Sequence, residues 1–189
     1  MHIPLRAGWV PHTIHASLSN IVTQRYNADG ELVPCETWDN ATLACAVQTD
    51  DQQFPLYLQT YRIAPGETNT WYIRILGTEF SAEFSTKYPK SLRYMAYQSG
   101  QEQAWQTVDL GYQTAYPTIT GGIFEFGFTD VILQMWAAFC DQLANGRDQM
   151  KQPYHCVTPE ETAQHHQILT AALISHSEDR AVAVTGPTT

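Results

Sequence analysis

Apolar and polar positions alternate through much of the first two thirds of the chain, the period that turns one face of a strand toward a core. Over residues 13–25, Ile14, Ala16 and Leu18 alternate before Ile21 and Val22 continue the apolar run, which predicts a strand interrupted near Ser19-Asn20. Asp29-Gly30 marks a turn. Ala41, Leu43, Cys45 and Val47 then share one parity over residues 37–48. Leu56, Leu58, Thr60 and Arg62 follow, flanked by Phe54, Tyr57 and Tyr61 and ended by Pro65-Gly66. Four more strands are predicted over residues 70–76, 79–86, 92–97 and 105–110.

The period changes at Thr129. Val131, Met135, Phe139 and Leu143 recur every four residues, with Ile132, Trp136 and Cys140 beside them, as far as Asn145-Gly146. A second helix starts with Thr158 as cap, Pro159 in the first position and Glu161 closing a capping box. Its stripe is Ile168, Leu169, Ala172 and Leu173, with Ala171 on one edge, and residues 181–184 read as a last short strand. Together these elements predict one α+β domain over residues 1–189, a large open, mainly antiparallel sheet with helices packed on one face. Several strands carry bulky groups on both parities, so the second face calls for cover by another copy or another domain.

Composition sharpens this picture. Of 189 residues, 43% are hydrophobic and only 15% charged, against about 25% charged in an average domain. Ten basic and nineteen acidic residues leave a net charge of -9, which disfavours a nucleic-acid partner because phosphate binding needs surplus Lys and Arg. No apolar run is long enough to span a membrane and the first residues carry no signal-peptide core. Cys35, Cys45, Cys140 and Cys156 form no CxxC pair, so reduced thiols and a cytoplasmic location are expected. Cys45 and Cys140 lie on apolar stripes and are expected to be buried and inert, whereas Cys35 sits in a turn and is expected to be exposed.

Familiar cofactor signatures are missing. Gly121, Gly122 and Gly127 lack the G-x-G-x-x-G spacing, and no phosphate-binding loop ending in Lys and Ser or Thr is present. A metal-dependent isomerase or hydrolase would require His155, His165 and His166 to converge from a distance. The remaining candidates for contact with substrate are Asp39, Arg62, Trp71, Tyr116 and Glu125. Asp39 opens a strand, where it either meets substrate or caps a turn. Arg62 and Arg74 suit an anion or pairing with Glu67, Glu79 or Glu83. Tyr116 and Glu125 lie in the glycine-containing stretch 112–128, whose aromatic and hydroxyl groups suit a carbohydrate pocket or else form a packed connection.

The segments ETWDNATLACAV, YRIAPGETNTWYIRILGTEFSAEFSTKYPKSLR, GYQTAYPTITGGIFEFGFTDVILQMWAAFCDQLANG and TPEETAQHHQILTAALISH, taken in order, resemble the C-terminal domain of the glucose–fructose oxidoreductase/inositol dehydrogenase (Gfo/Idh/MocA) family. The resemblance runs from about residue 16 to 184. It implies an open sheet that lines a substrate site and forms an oligomer interface, with Trp71, Ile73, Ile75, Phe80 and Phe84 as candidates for its buried faces. It also implies a Rossmann domain upstream in a full-length relative, carrying NAD or NADP and the catalytic Glu-Lys-Pro and Asp-x-x-x-His motifs. These motifs have no counterpart here, so no catalytic residue and no cofactor site are assigned to this chain alone. The expected role is the substrate-binding and oligomerisation domain of a sugar or polyol oxidoreductase, as a fragment or a stand-alone relative. The alternative is a non-enzymatic scaffold or small-molecule-binding protein.

Overall fold

The computed structural model describes residues 1–111, 113–119, 122–152 and 156–185. Its elements in chain order are α1 (His2–Arg6), β1 (Pro11–Ser19), β2 (Gln24–Tyr26), β3 (Leu32–Pro34), β4 (Asn40–Gln48), β5 (Gln53–Tyr61), β6 (Tyr72–Leu76), β7 (Phe80–Ser85), β8 (Ser91–Ala96), β9 (Gln106–Asp109), α2 (Phe128–Asn145), a 3-10 turn (Arg147–Gln149), α3 (Pro159–Glu178) and β10 (Val182–Ala183). All pairing is antiparallel, and the class is α+β as expected. The strands pair as β10-β1-β4-β5, as the ribbon β2-β3 and as β6-β7-β8-β9. Two compact units result, one from Met1–Pro65 and Val157–Thr189, the other from Gly66–Cys156.

In the first unit, register places Ile14 opposite Cys45 and Ala16 opposite Leu43. The predicted parity is therefore on one face, and α3 covers it. Ile14, Ala16, Leu43, Cys45, Ile168, Ala171 and Ala172 form the buried core. The alanines on α3 keep that helix surface shallow, so the larger Ile14 and Ile168 can fill the space without strain. The helix starts as its sequence predicts: Glu161 N–H donates to Thr158 Oγ1 at 3.2 Å, and Thr158 N–H donates to Glu161 Oε2 at 2.8 Å. Asp179 ends it in the left-handed conformation, φ 49°.

The edge of β1 is closed by the same helix. β10 pairs only with Thr13 and Ile14. Further along, the N–H of Ala16 donates to Ser175 Oγ at 2.9 Å and that of Leu18 to His176 Nδ1 at 3.3 Å. Ser175 is fully buried, and its hydroxyl donates onward to Arg180 O at 2.6 Å. Side chains thus take the place of a missing strand.

The second unit contains the β6-β7-β8-β9 meander. Ile73 lies opposite Phe84 and Ile75 opposite Ala82, so Ile73, Ile75, Phe80 and Phe84 share a face with Leu92 and Val108. The other face carries Arg74 and Arg93, both paired with Glu83, and both guanidiniums lie over the Trp105 ring.

The structure corrects two expectations. The α2 stripe Val131, Met135, Phe139 and Leu143 is 45–77% exposed, and the buried positions are Ala138 and Asp141. Cys140 is exposed rather than buried. The reason is that α2 makes its contacts through a small and polar side, which hydrogen-bonds to the segments around Tyr116, Lys151 and Cys156. Cys45 is buried as expected, and burial pushes its thiol up to about 11. α1 and β3 carry no periodic signal and were not among the predicted elements, while β2 takes in the end of the strand predicted over residues 13–25 and the Asp29-Gly30 turn lies between β2 and β3.

Ser175→Ala strands the Ala16 N–H and the Arg180 carbonyl in the interior. It is expected to destabilise the chain by about 1–3 kcal/mol in urea unfolding. Ser177→Ala, on the exposed side of the same helix, should stay within about 0.5 kcal/mol.

Candidate functional site

Asp39 precedes β4 and is 3% exposed. Its Oδ2 accepts the N–H groups of Ile21 at 2.8 Å and Val22 at 2.7 Å, and Oδ1 accepts from Arg25 Nη2 at 2.8 Å. The Val22 bond, helped by those from Ile21 and Arg25, outweighs burial and holds the carboxyl below its usual range. All three bonds come from within the chain, the arrangement expected of a residue that caps a turn. Arg62 is beside it: its N–H donates to Asp39 O at 2.8 Å and to Asn40 Oδ1 at 3.1 Å, and its Nη1 donates to Thr37 Oγ1 at 3.2 Å. Thr37 Oγ1 also lies 3.2 Å from Cys35 Sγ. That contact and the bond from Arg25 Nε lower the Cys35 thiol.

The other three candidates belong to the second unit. Trp71 is 68% exposed and is held by its backbone, its N–H donating to Thr86 Oγ1 at 2.9 Å. Tyr116 is buried, and its hydroxyl donates to Asp141 Oδ2 at 2.9 Å. Gln134 clamps the Tyr116 backbone from both sides, accepting from its N–H and donating to its carbonyl, each at 2.9 Å. Asp141 also accepts from Asn145 at 2.6 Å and from the Lys151 N–H at 2.8 Å. Burial alone would raise Asp141, but these donors hold it below the usual carboxylate range. Glu125 is exposed and accepts from Lys90 Nζ at 3.0 Å, which raises the Lys90 ammonium.

Gln134 and Lys90 both line a cleft of about 270 Å³, together with Pro89, Leu110, Gln113 and Phe126. None of the five candidates is in its lining; Tyr116 and Glu125 are joined to it only through their bonds to Gln134 and Lys90. Ammonium and amide groups face the cleft alongside Leu110 and Phe126. This mixture suits a small hydroxyl-rich molecule with an apolar C–H face. A larger depression of about 450 Å³ lies over the uncovered face of the first unit's sheet, floored by Ala44 and Ala46 between His15 and Tyr57. The smaller cleft is the better candidate because convergent polar side chains line it. Lys90, Gln134 and Asp141 were not singled out in the sequence. The available signal was Asp141, a carboxylate three residues after Ala138 on the side of α2 that turned out to be buried.

Among the described residues no group of three His, Cys, Asp or Glu side chains could hold a metal ion. His155 lies outside the described residues, so the histidine convergence is not placed. Among the described residues no helix is long and apolar enough to cross a membrane.

No family model and no curated protein sequence matches the chain. Solved structures do. Levoglucosan dehydrogenase in complex with NADH and L-sorbose is 20% identical with a TM-score of 0.71, over 94% of this chain and 46% of that one. An oxidoreductase domain protein from Kribbella flavida is 13% identical with a TM-score of 0.73, over 97% and 47%. The transcriptional regulator Gal80p from Kluyveromyces lactis is 16% identical with a TM-score of 0.61, over 96% and 42%. The chain spans about half the length of the structures it matches, and it has the fold of that half.

Asp39→Asn removes the charge that holds Arg25 and should lower Tm by roughly 5 °C at neutral pH. Because the folded carboxyl titrates below its unfolded value, its stabilisation is whole above about pH 4 and is lost as pH falls through the folded value. The difference in Tm between variant and wild type should therefore shrink in acid, as read by circular dichroism.

Proposed function

We propose that this chain is the substrate-binding and oligomer-forming half of an NAD(P)-dependent oxidoreductase acting on a sugar or polyol, with hydride transfer requiring a separate dinucleotide-binding domain. One observation carries the reading: nearly the whole chain superposes on about half of NAD-binding oxidoreductases, among them a dehydrogenase solved with both NADH and a sugar. The cleft beside Gln134 and Lys90 supports it, since amide and ammonium groups can bind hydroxyls while Leu110 and Phe126 meet C–H surface. The chain's share is to bind and orient, and the nicotinamide supplies the redox chemistry.

The residues present do not fit the nicotinamide dinucleotide itself. A pyrophosphate needs a strand, a glycine-rich turn and a free helix N-terminus. Here the start of α2 is occupied by Asp130, whose Oδ2 accepts the Gly127 N–H at 2.9 Å. The start of α3 carries Glu160 and Glu161, the latter closing its capping box. Both places already hold carboxylates that would repel a phosphate. A Rossmann domain is therefore the first partner in this proposal. The second is another copy of the chain, joined through the apolar face of Ile73, Ile75, Phe80 and Phe84.

The non-enzymatic alternative keeps a specific support, because the regulator Gal80p shares the fold. Titration separates the two. With tryptophan fluorescence as readout, levoglucosan or L-sorbose should bind the full chain, and Gln134→Ala, which releases the Tyr116 backbone beside the cleft, should weaken that binding about tenfold. NADH should show no micromolar binding. If neither sugar nor nucleotide binds, the scaffold reading takes over. Phe84→Glu is expected to halve the mass found by light scattering, and an unchanged mass would remove the sheet face as the interface.

A further inference from the structure

α1 is a single turn and a half of helix, too short to hold itself together. Its hold on α3 comes from a compact group of side chains. The rings of His2 and His165 lie with centroids 4.2 Å apart and planes tilted by 53°. His2 Nδ1 and His165 Nε2 are buried and have no hydrogen-bond partner among the described residues. Next to them, Arg6 donates through Nε and Nη2 to the two Glu161 oxygens at 2.7 and 3.1 Å. Met1 and Leu5 pack against the core built on Ile14 and Ile168.

We propose that the His2–His165 contact is a pH-sensitive latch, which fastens α1 to α3 while both rings are neutral and loosens when they take up protons. A protonated imidazole needs donors satisfied at both nitrogens, and here one nitrogen of each ring faces the protein interior with nothing to accept its proton. Two protonated rings would also repel each other across the contact. The charged groups around them mostly add to that repulsion. Arg6 opposes a proton on His2, and His2 and His166 oppose one on His165. Glu161 alone favours the protons, but Arg6 holds it to about 2 and already engages both its oxygens.

The sign of the effect is set by burial, the largest cause lowering both imidazoles below their ordinary value. Unfolded chains then bind more protons than folded ones just below about pH 6.5. The latch is whole above that value and is lost as pH falls through the folded values. Glu161 stays ionised across the same range, so the change belongs to the imidazoles.

Amide exchange and imidazole titration on the full chain test this. The N–H groups of Ala7, Gly8 and Trp9 bond to carbonyls of α1 at 2.9–3.1 Å and report its order. Their protection factors should fall severalfold between pH 7.5 and 5.0, and both rings should titrate below the free value. In the double variant His2→Phe, His165→Phe, which keeps ring packing without the titration, the fall should shrink to about twofold or less. Wild-type protection that does not change with pH, an undiminished fall in the double variant, or a ring titrating at or above the free value overturns the latch. Should the double variant fail to fold, the two wild-type measurements decide the matter alone.

Discussion

The first strand needs cover on a face and along an edge, and a single helix supplies both. Ile14 and Ala16 present apolar surface that Ile168, Ala171 and Ala172 bury. Past Ile14, where β10 has ended, the N–H groups of Ala16 and Leu18 would face solvent or a foreign strand. Ser175 and His176 accept them instead. This requirement ties Val157–Thr189 to Met1–Pro65 across the intervening unit. It also places α3 where α1 can rest on it.

Buried carboxylates are the second organising feature, and both act on the chain itself. Asp39 gathers Ile21, Val22 and Arg25, and Asp141 gathers Tyr116, Asn145 and Lys151. Each is satisfied by several donors, as a buried charge must be. Asp141 and Gln134 hold Tyr116 from opposite ends, hydroxyl and backbone, and Gln134 itself lines the cleft. Lys90, Gln113, Thr114 and Gln134 are the polar residues lining it, with Thr114 and Gln134 bonded to the Tyr116 backbone and Lys90 paired with Glu125. They can bind and orient, which is the share of the work that the proposed function assigns to this chain.

How much of this was legible varies by element. The parity of Ala41, Leu43, Cys45 and Val47 located β4 and its buried face, because that face is covered by a helix of the same unit. The Thr158-Pro159-Glu161 signature located the start of α3 to the residue, because capping is settled within one turn of chain. The stripe on α2 predicted a helix and misplaced its contact side. Periodicity reports which residues are apolar together and says nothing of what lies against them. Of the five candidate site residues none lines the cleft; Tyr116 and Glu125 bond to Gln134 and Lys90, which do, Asp39 and Arg62 are joined to each other, and Trp71 stands apart. Lys90 and Gln134 went unnoticed because a single Lys or Gln carries no spacing signal.

By itself the sequence determined the types of the long elements and the α+β class. These follow from short-range rules of side-chain alternation, helix capping and turn chemistry. Tertiary structure decided which side of α2 makes contacts, what Asp39 and Asp141 hold, and that two histidines 163 positions apart in the chain meet face to ring. Those outcomes depend on which distant groups can satisfy a buried charge or an open strand edge, and no local pattern of residues specifies that partner.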